Sequence, residues 1–290
     1  MYGSKVAVDG IDLTVARGEV FALLGPNGAG KTTAVEILEG HRQRTSGDVS
    51  VLGFDPGTKD AVLKQRIGIV LQETGINRYL TVAETIELFR GYFPHPRPLD
   101  EVIRLVGLEE QRDVRVKKLS GGQQRRLDVG VGLAGDPELL FLDEPTTGFD
   151  PAARRGAWDM VRGLQALGKT IFLTTHYMEE AEHLAGRVAI IARGRIVAED
   201  TPAGLTHMNP HTRIRFRATE AAADLIEGIE GAGVEAGYVD IATPSPTAVL
   251  AALTGRALER GTELVDLTVT RQTLEDAYLG LVDEAEQASV

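Results

Sequence analysis

Apolar residues fall in short runs along this chain, and the spacing of the runs changes character three times. Val6–Val15 alternates loosely between the turns Asp9-Gly10 and Arg17-Gly18, which predicts antiparallel strands. Val20–Leu24 is unbroken and apolar, as in a strand buried on both faces, and a glycine loop and a helix over Ala34–Leu38 follow it. Ile67–Leu71 is another strand candidate. From Thr81 to Leu133 the period becomes helical. Val82, Ile86 and Phe89 share one face, Val102, Leu105, Val106 and Leu108 another, and Pro94–Pro98 breaks the stretch between them. Strand-like runs return at Leu139–Leu142, Thr170–Thr174 and Val188–Ala192, separated by helical stretches at Ala152–Leu167 and Met178–Ala185. Strands alternating with helices predict an α/β fold with a covered parallel sheet and a helical insertion over about 81–133.

The pattern changes again past Pro202. Arg213–Ala218, Tyr238–Ala242 and Leu264–Thr270 read as strands, and Ala221–Ile229, Thr247–Arg260 and Thr273–Val282 as helices. This predicts a first domain over 1–205 and a small α+β domain over 206–290. The basic and apolar alternation of Arg213-Ile214-Arg215-Phe216-Arg217 suits an edge strand with one wet face.

Composition narrows the chemistry. The 290 residues include no cysteine, which removes disulfides, thiolate metal sites and thiol catalysis. No segment approaches the roughly 18 uninterrupted apolar residues of a membrane span. The N-terminus lacks a basic stretch followed by an apolar one, so the sequence predicts a soluble, intracellular chain. The net charge is −11, which argues against a large nucleic-acid-binding face. That charge is unevenly placed: residues 1–220 hold 28 basic and 29 acidic side chains, and residues 221–290 hold 3 and 13. An acidic lobe of this kind is expected to avoid anionic lipid, and to face solvent or a basic partner surface such as the Arg213/Arg215/Arg217 strand of a second copy.

Three motifs carry chemistry. Gly25-Pro26-Asn27-Gly28-Ala29-Gly30-Lys31-Thr32, with Thr33 following, matches a phosphate-binding loop between an apolar strand and a helix. Glycines let backbone N–H groups approach phosphate oxygens, Lys31 reaches the terminal phosphates, and the Thr32 hydroxyl suits Mg²⁺. Leu139–Leu142 runs into Asp143-Glu144 at a strand end, where an open α/β sheet exposes its ligand site. Asp143 suits the water shell of Mg²⁺, and Glu144 suits a proton acceptor for an attacking water. Leu119-Ser120-Gly121-Gly122-Gln123 places a second backbone anion nest ahead of a helix, Gln123 to Val131.

Together these motifs resemble the ATP-binding cassette of ABC transporters over roughly residues 2–205. The resemblance implies a P-loop NTPase fold with an antiparallel β subdomain and a helical subdomain. Further positions match motif by motif: Gln72 the Q-loop, Asp150 in TTGFDP the D-loop, His176 in LTTHYMEE the switch histidine, and Tyr2 the aromatic that stacks on adenine. It implies ATP and Mg²⁺ as ligands, with Glu144, His176 and Gln72 in catalysis and Thr32, Gln72 and Asp143 at the metal. Two copies dimerise head to tail in this family, so Ser120, Gly121, Gly122, Gln123 and Asp150 of one would close over nucleotide held by the other.

VAVDGIDLTVARGEVFALLGPNGAGKTT, THYMEEAEHLAGRVAIIARGRIVAEDTP and TLEDAYLGL resemble the daunorubicin-resistance branch of exporters. That implies an exporter's ATPase subunit, peripheral on the inner face of the cell membrane and powering a separate membrane-spanning permease. Docking is expected around Gln72–Phe93, with Ile76, Tyr79 and Leu80 as apolar contacts. Two alternatives are a non-transport cassette acting on a macromolecular complex and a catalytically silent subunit. A single phosphate loop speaks against the first, and the intact Glu144 and His176 against the second.

Overall fold

The apolar runs of the first 200 residues assemble into one sheet in the computed structural model, which describes residues 6–71, 75–207, 212–218, 222–271 and 273–287. Packing divides the chain into two units. One runs to Pro202 and resumes at Val282; the other spans Ala203–Leu281.

In the first unit the elements run β1 (Val20–Leu24), α1 (Lys31–Leu38), α2 (Ala61–Arg66), β2 (Ile67–Val70), α3 (Val82–Arg90), α4 (Leu99–Leu105) and α5 (Gly121–Leu133). They continue with β3 (Leu139–Asp143), α6 (Pro151–Ala166), β4 (Thr170–Thr175), α7 (Met178–Leu184), β5 (Arg187–Ala192) and β6 (Arg195–Asp200), and α8 (Pro202–His207) follows. The sheet order is β2-β3-β4-β1-β5-β6. Every pairing is parallel except β5 with β6. All five residues of β1 are buried, as expected for a central strand covered on both faces. Phe172 of β4 packs between Phe21 and Phe141, with ring centroids at 5.5 and 5.8 Å.

The helical stretch is built from local signals. Thr81 and Glu84 cap α3 reciprocally, each side chain accepting from the other's backbone N–H. Ser120 and Gln123 do the same for α5. Helix α5 packs against α3, α4 and β2.

One local reading in this unit needs correction. Val6–Val15 forms no strand; Val8, Ile11, Leu13 and Val15 instead pack their side chains on the core. Alternation reports which side chains are buried, while a strand also needs a neighbour to pair with. The antiparallel pairing of this unit comes from β6, which the sequence pattern did not single out.

The second unit runs β7 (Thr212–Arg217), α9 (Ala222–Leu225), β8 (Ala232–Glu235), β9 (Tyr238–Thr243), α10 (Pro246–Glu259) and β10 (Thr268–Arg271), with α11 (Leu274–Gln287) after it. Its sheet is antiparallel throughout, in the order β10-β7-β9-β8. This is the split βαβ arrangement of ferredoxin-like folds. Ile214, Phe216, Val239 and Ile241 meet Leu225, Leu253 and Ala257 in its core.

Strand β7 is internal, so the edge-strand reading fails: basic and apolar alternation marked an open face rather than an edge. Two of its arginines are already paired within the unit. Arg213 donates to Asp240 at 2.7 and 2.8 Å, and Arg217 to Asp266 at 2.7 Å. Arg215 lies over the Tyr238 ring at 4.3 Å. The strand therefore offers much less free positive charge to a second copy than its sequence suggests. Helix α9 is also shorter than expected, and Ala221, the first residue of that expected helix, lies outside the described residues. Among the described residues no helix is long and apolar enough to cross a membrane.

Candidate functional site

Parallel strands deliver their C-terminal ends to one edge of a sheet. Here β1 ends at the phosphate loop, β3 at Asp143-Glu144 and β4 just before His176. The register aligns them: Leu24 is opposite Thr175, and Asp143 is opposite Thr174. Segments more than a hundred residues apart thus converge on one edge.

The phosphate loop is a turn that side chains would block. Gly28 has φ +82° and Gly30 φ +110°, both left-handed conformations that favour glycine. A Cβ on Gly30 would lie 2.3 Å from the Ala7 carbonyl oxygen, whereas one on Gly28 would meet nothing within 4 Å. The loop therefore packs tightly at one end and opens its backbone at the other. Lys31 folds back over it, donating from Nζ to the carbonyls of Gly25 at 2.6 Å and Pro26 at 3.2 Å. Burial pushes the Lys31 ammonium below its ordinary range, and the charges of Glu144 and Asp143 partly oppose that shift. A buried cation and backbone N–H groups at a helix N-terminus fit a polyanion such as a nucleoside triphosphate.

Glu144 is held from several sides. Its backbone takes the left-handed region at φ +45°, uncommon outside glycine. Its N–H bonds to the carbonyl and hydroxyl of Thr174 at 3.1 and 3.2 Å. Oε1 lies 3.1 Å from Nδ1 of His176, and Oε2 accepts from the Thr147 hydroxyl at 3.1 Å. The Thr174 hydroxyl also donates to Asp143. One threonine on β4 thus fixes both carboxylate residues at the end of β3.

The residues present fit a hard divalent cation. Thr32 leaves its side chain exposed in the first turn of α1, and Asp143 is half-buried at the end of β3. Among the described residues no cluster of three or more His, Asp or Glu forms a metal cage. None is needed for Mg²⁺, which commonly keeps its waters and takes one or two protein oxygens beside substrate phosphates.

Not every expected residue comes to this edge. Ser120–Gln123 opens α5 in the helical stretch, where the Ser120 Oγ accepts from Gln123 N–H at 3.3 Å. The Asp150 carboxylate caps α6, accepting from Ala152 and Ala153 N–H at 2.9 Å. Tyr2 and Gln72 lie outside the described residues.

Arg125 was missed. It is buried on α5, and burial pushes its guanidinium below its ordinary range. It donates to the carbonyls of Leu71, Asp143 at 2.7 Å and Pro145 at 3.3 Å. One side chain therefore joins the helix behind Ser120–Gln123 to the ends of β2 and β3. Its signal was an arginine on the stripe shared with Val129 and Gly132.

Known proteins share this arrangement. The family model described as ABC transporter matches residues 8–147. The daunorubicin resistance ATP-binding protein DrrA2 of Streptomyces coeruleorubidus is 38% identical over 295 residues, 97% of this chain and 91% of that protein. The Nod factor export ATP-binding protein I of Sinorhizobium fredii (strain NBRC 101917 / NGR234) is 46% identical over 209 residues, 70% of this chain; the match spans 61% of that relative's length. Among solved structures, an ATP-binding subunit of an ABC transporter aligns at TM-score 0.64 and 24% identity, covering 71% of this chain and 88% of that one. A dimeric cassette in a post-hydrolysis state bound to ADP and Pi aligns at TM-score 0.60 and 24% identity, covering 67% and 90%. At that identity the structures speak for the fold alone; the relatives carry the family. The chain belongs to the ABC transporter family, and its first unit is an ATP-binding cassette.

Proposed function

We propose that this chain is the ATP-hydrolysing subunit of an exporter and drives a separate membrane-spanning permease through ATP-dependent closure of two cassettes. The observation that carries the reading is Glu144, held between the His176 ring and the Thr147 hydroxyl beside a phosphate loop. Glu144 takes the proton of the attacking water, and His176 orients that carboxylate and the terminal phosphate. Lys31 and the backbone N–H groups of Gly28–Thr33 hold the phosphate charge that grows as ADP leaves. Mg²⁺, held by Thr32 and Asp143 with Gln72, would neutralise phosphate charge.

Ser120–Gln123 opens a helix that packs against α3, α4 and β2, which supports a role for this turn across a two-copy interface together with Asp150. The names of the relatives, daunorubicin resistance and Nod factor export, support export over import. The permease surface is the face around Tyr79, whose ring is 70% exposed beneath the Lys117 ammonium at 4.9 Å. Ile76 and Leu80 are half-buried beside it in sequence. Such a subunit sits on the inner face of the cell membrane through its permease.

The test is the full chain with and without a co-expressed permease. Glu144→Gln should bind ATP, run as a dimer in its presence, and lose turnover by about a hundredfold or more. Near-normal turnover in that variant removes Glu144 as the proton acceptor.

A further inference from the structure

Behind the site, Glu180 of α7 is completely buried. A carboxyl group taken out of water needs both oxygens satisfied. Oε1 accepts from the Thr146 hydroxyl at 2.8 Å and from the Trp158 indole N–H at 3.4 Å. The Thr175 hydroxyl at the end of β4 is a further hydrogen-bond partner of this carboxyl. On α6, Nε of Arg154 is buried and lacks a partner. Burial pushes the Glu180 carboxyl above the usual carboxylate range, against the hydrogen bonds of Thr175, Thr146 and Trp158 and, last, the Arg154 charge.

The surroundings of Glu180 link three pieces of the site. Thr146 stands two residues after Glu144, in the loop that runs to Asp150. Glu180 stands four residues after His176, about one helical turn. The Arg154 guanidinium lies 4.6 Å over the Tyr177 ring and 3.6 Å from the Glu179 carboxylate. The Tyr177 ring in turn lies 4.1 Å from that of His176. Glu180 therefore bonds the loop that follows Glu144 while standing on the helix that follows His176, and the His176–Glu144 contact joins the same two segments at the site. Buried polar networks of this kind fix geometry when their members are satisfied.

We propose that Glu180 is a positioning residue for hydrolysis: through Thr146 it ties the Glu144–Asp150 loop to the turn that carries His176. This rests on the roles assigned to Glu144 and His176 above. Glu180 touches neither nucleotide nor water; it acts through the two residues that do.

Steady-state ATPase of the full chain tests it, with melting temperature measured in parallel. Glu180→Gln keeps the volume but replaces an acceptor oxygen with a donor amide among donors, and Thr146→Val removes the hydroxyl at nearly constant volume. Each should lower kcat by about tenfold and leave KM for ATP within about twofold, because alignment is lost and binding is not. The double variant should fall little below the worse single one, as expected for members of one network. Wild-type kcat in both single variants overturns the proposal, as does a kcat loss that only follows the loss of folded protein. If Glu180→Gln does not fold, Thr146→Val decides alone. Glu144→Gln is the control. An inactive control beside an unaffected Glu180→Gln refutes only this inference, whereas an active control refutes the reading beneath it.

Discussion

The two units of this chain solve the same packing problem with opposite consequences. Both lay a sheet against helices. In the first, parallel strands collect their C-terminal ends at one edge, so backbone N–H groups, Lys31, Asp143, Glu144 and His176 meet there. In the second, every neighbour is antiparallel, so strand ends alternate between the two edges and no such collection forms among the described residues. Its charged side chains pair locally instead, Arg213 with Asp240, Arg217 with Asp266 and Arg260 with Asp224. Net charge does not separate them, since the first unit holds 25 basic and 31 acidic side chains and the second 6 and 11. The contrast teaches that strand direction, more than residue content, decides where a chain can concentrate reactive groups.

Three experiments bear on that contrast. The largest effect is expected from Lys31→Ala. It removes the one ammonium folded into the phosphate loop, and ATPase activity should fall by roughly a thousandfold, with nucleotide affinity falling as well. Retained ATP binding, measured by calorimetry, would mean that the backbone cradle alone holds the phosphates.

Phe216→Ala empties the core of the second unit. It should cost about 4 kcal/mol there and leave the kcat of the cassette within about twofold. Hydrogen exchange locates the loss. A parallel fall in kcat would mean that the second unit supports the site and that the contrast drawn above is too sharp.

The smallest effect concerns Glu39, buried at the end of α1 with the His41 ring at 3.1 Å. Burial, then the charges of Asp143 and Glu36, push its carboxyl up to about 8. A carboxyl whose pKa is raised on folding binds its proton more tightly in the native state. Stability is therefore greatest below its ordinary range and is lost as pH rises toward about 8. Glu39→Gln, which cannot ionise, should match the wild type at pH ~5 and melt about 5 °C higher at pH ~8.5. Equal pH profiles for the two proteins would show that Glu39 is not the group responsible.

Much of the site was legible because its residues sit in contiguous motifs whose spacing is fixed by local geometry. A strand, a glycine turn and a helix N-terminus must be adjacent in sequence to make a phosphate loop, so Gly25–Thr33 announces itself. Arg125 and Glu180 did not, because nothing local requires them. Arg125 looked like any arginine in a helix, and its carbonyl partners are 18 to 54 residues away. Glu180 looked like one more acid in the first turn of an amphipathic helix, and its partners Thr146 and Trp158 lie 34 and 22 residues off. The β7 arginines erred in the other direction: alternation revealed their face but not the carboxylates of β9 and of the loop before β10 that had already claimed two of them.

Sequence alone therefore determined the alternation of strands and helices, the phosphate loop, the acidic pair at a strand end, and the acidic character of the tail, since each is written within a few adjacent residues. Only the tertiary structure decided that β1, β3 and β4 align their ends, that Thr174 holds both Asp143 and Glu144, that β7 is internal, and which buried charges find partners. Hydrophobic periodicity says which side of an element is dry. Which element lies against that dry side, and what a buried polar atom finds there, depends on contacts between residues far apart in the chain, and no local pattern encodes them.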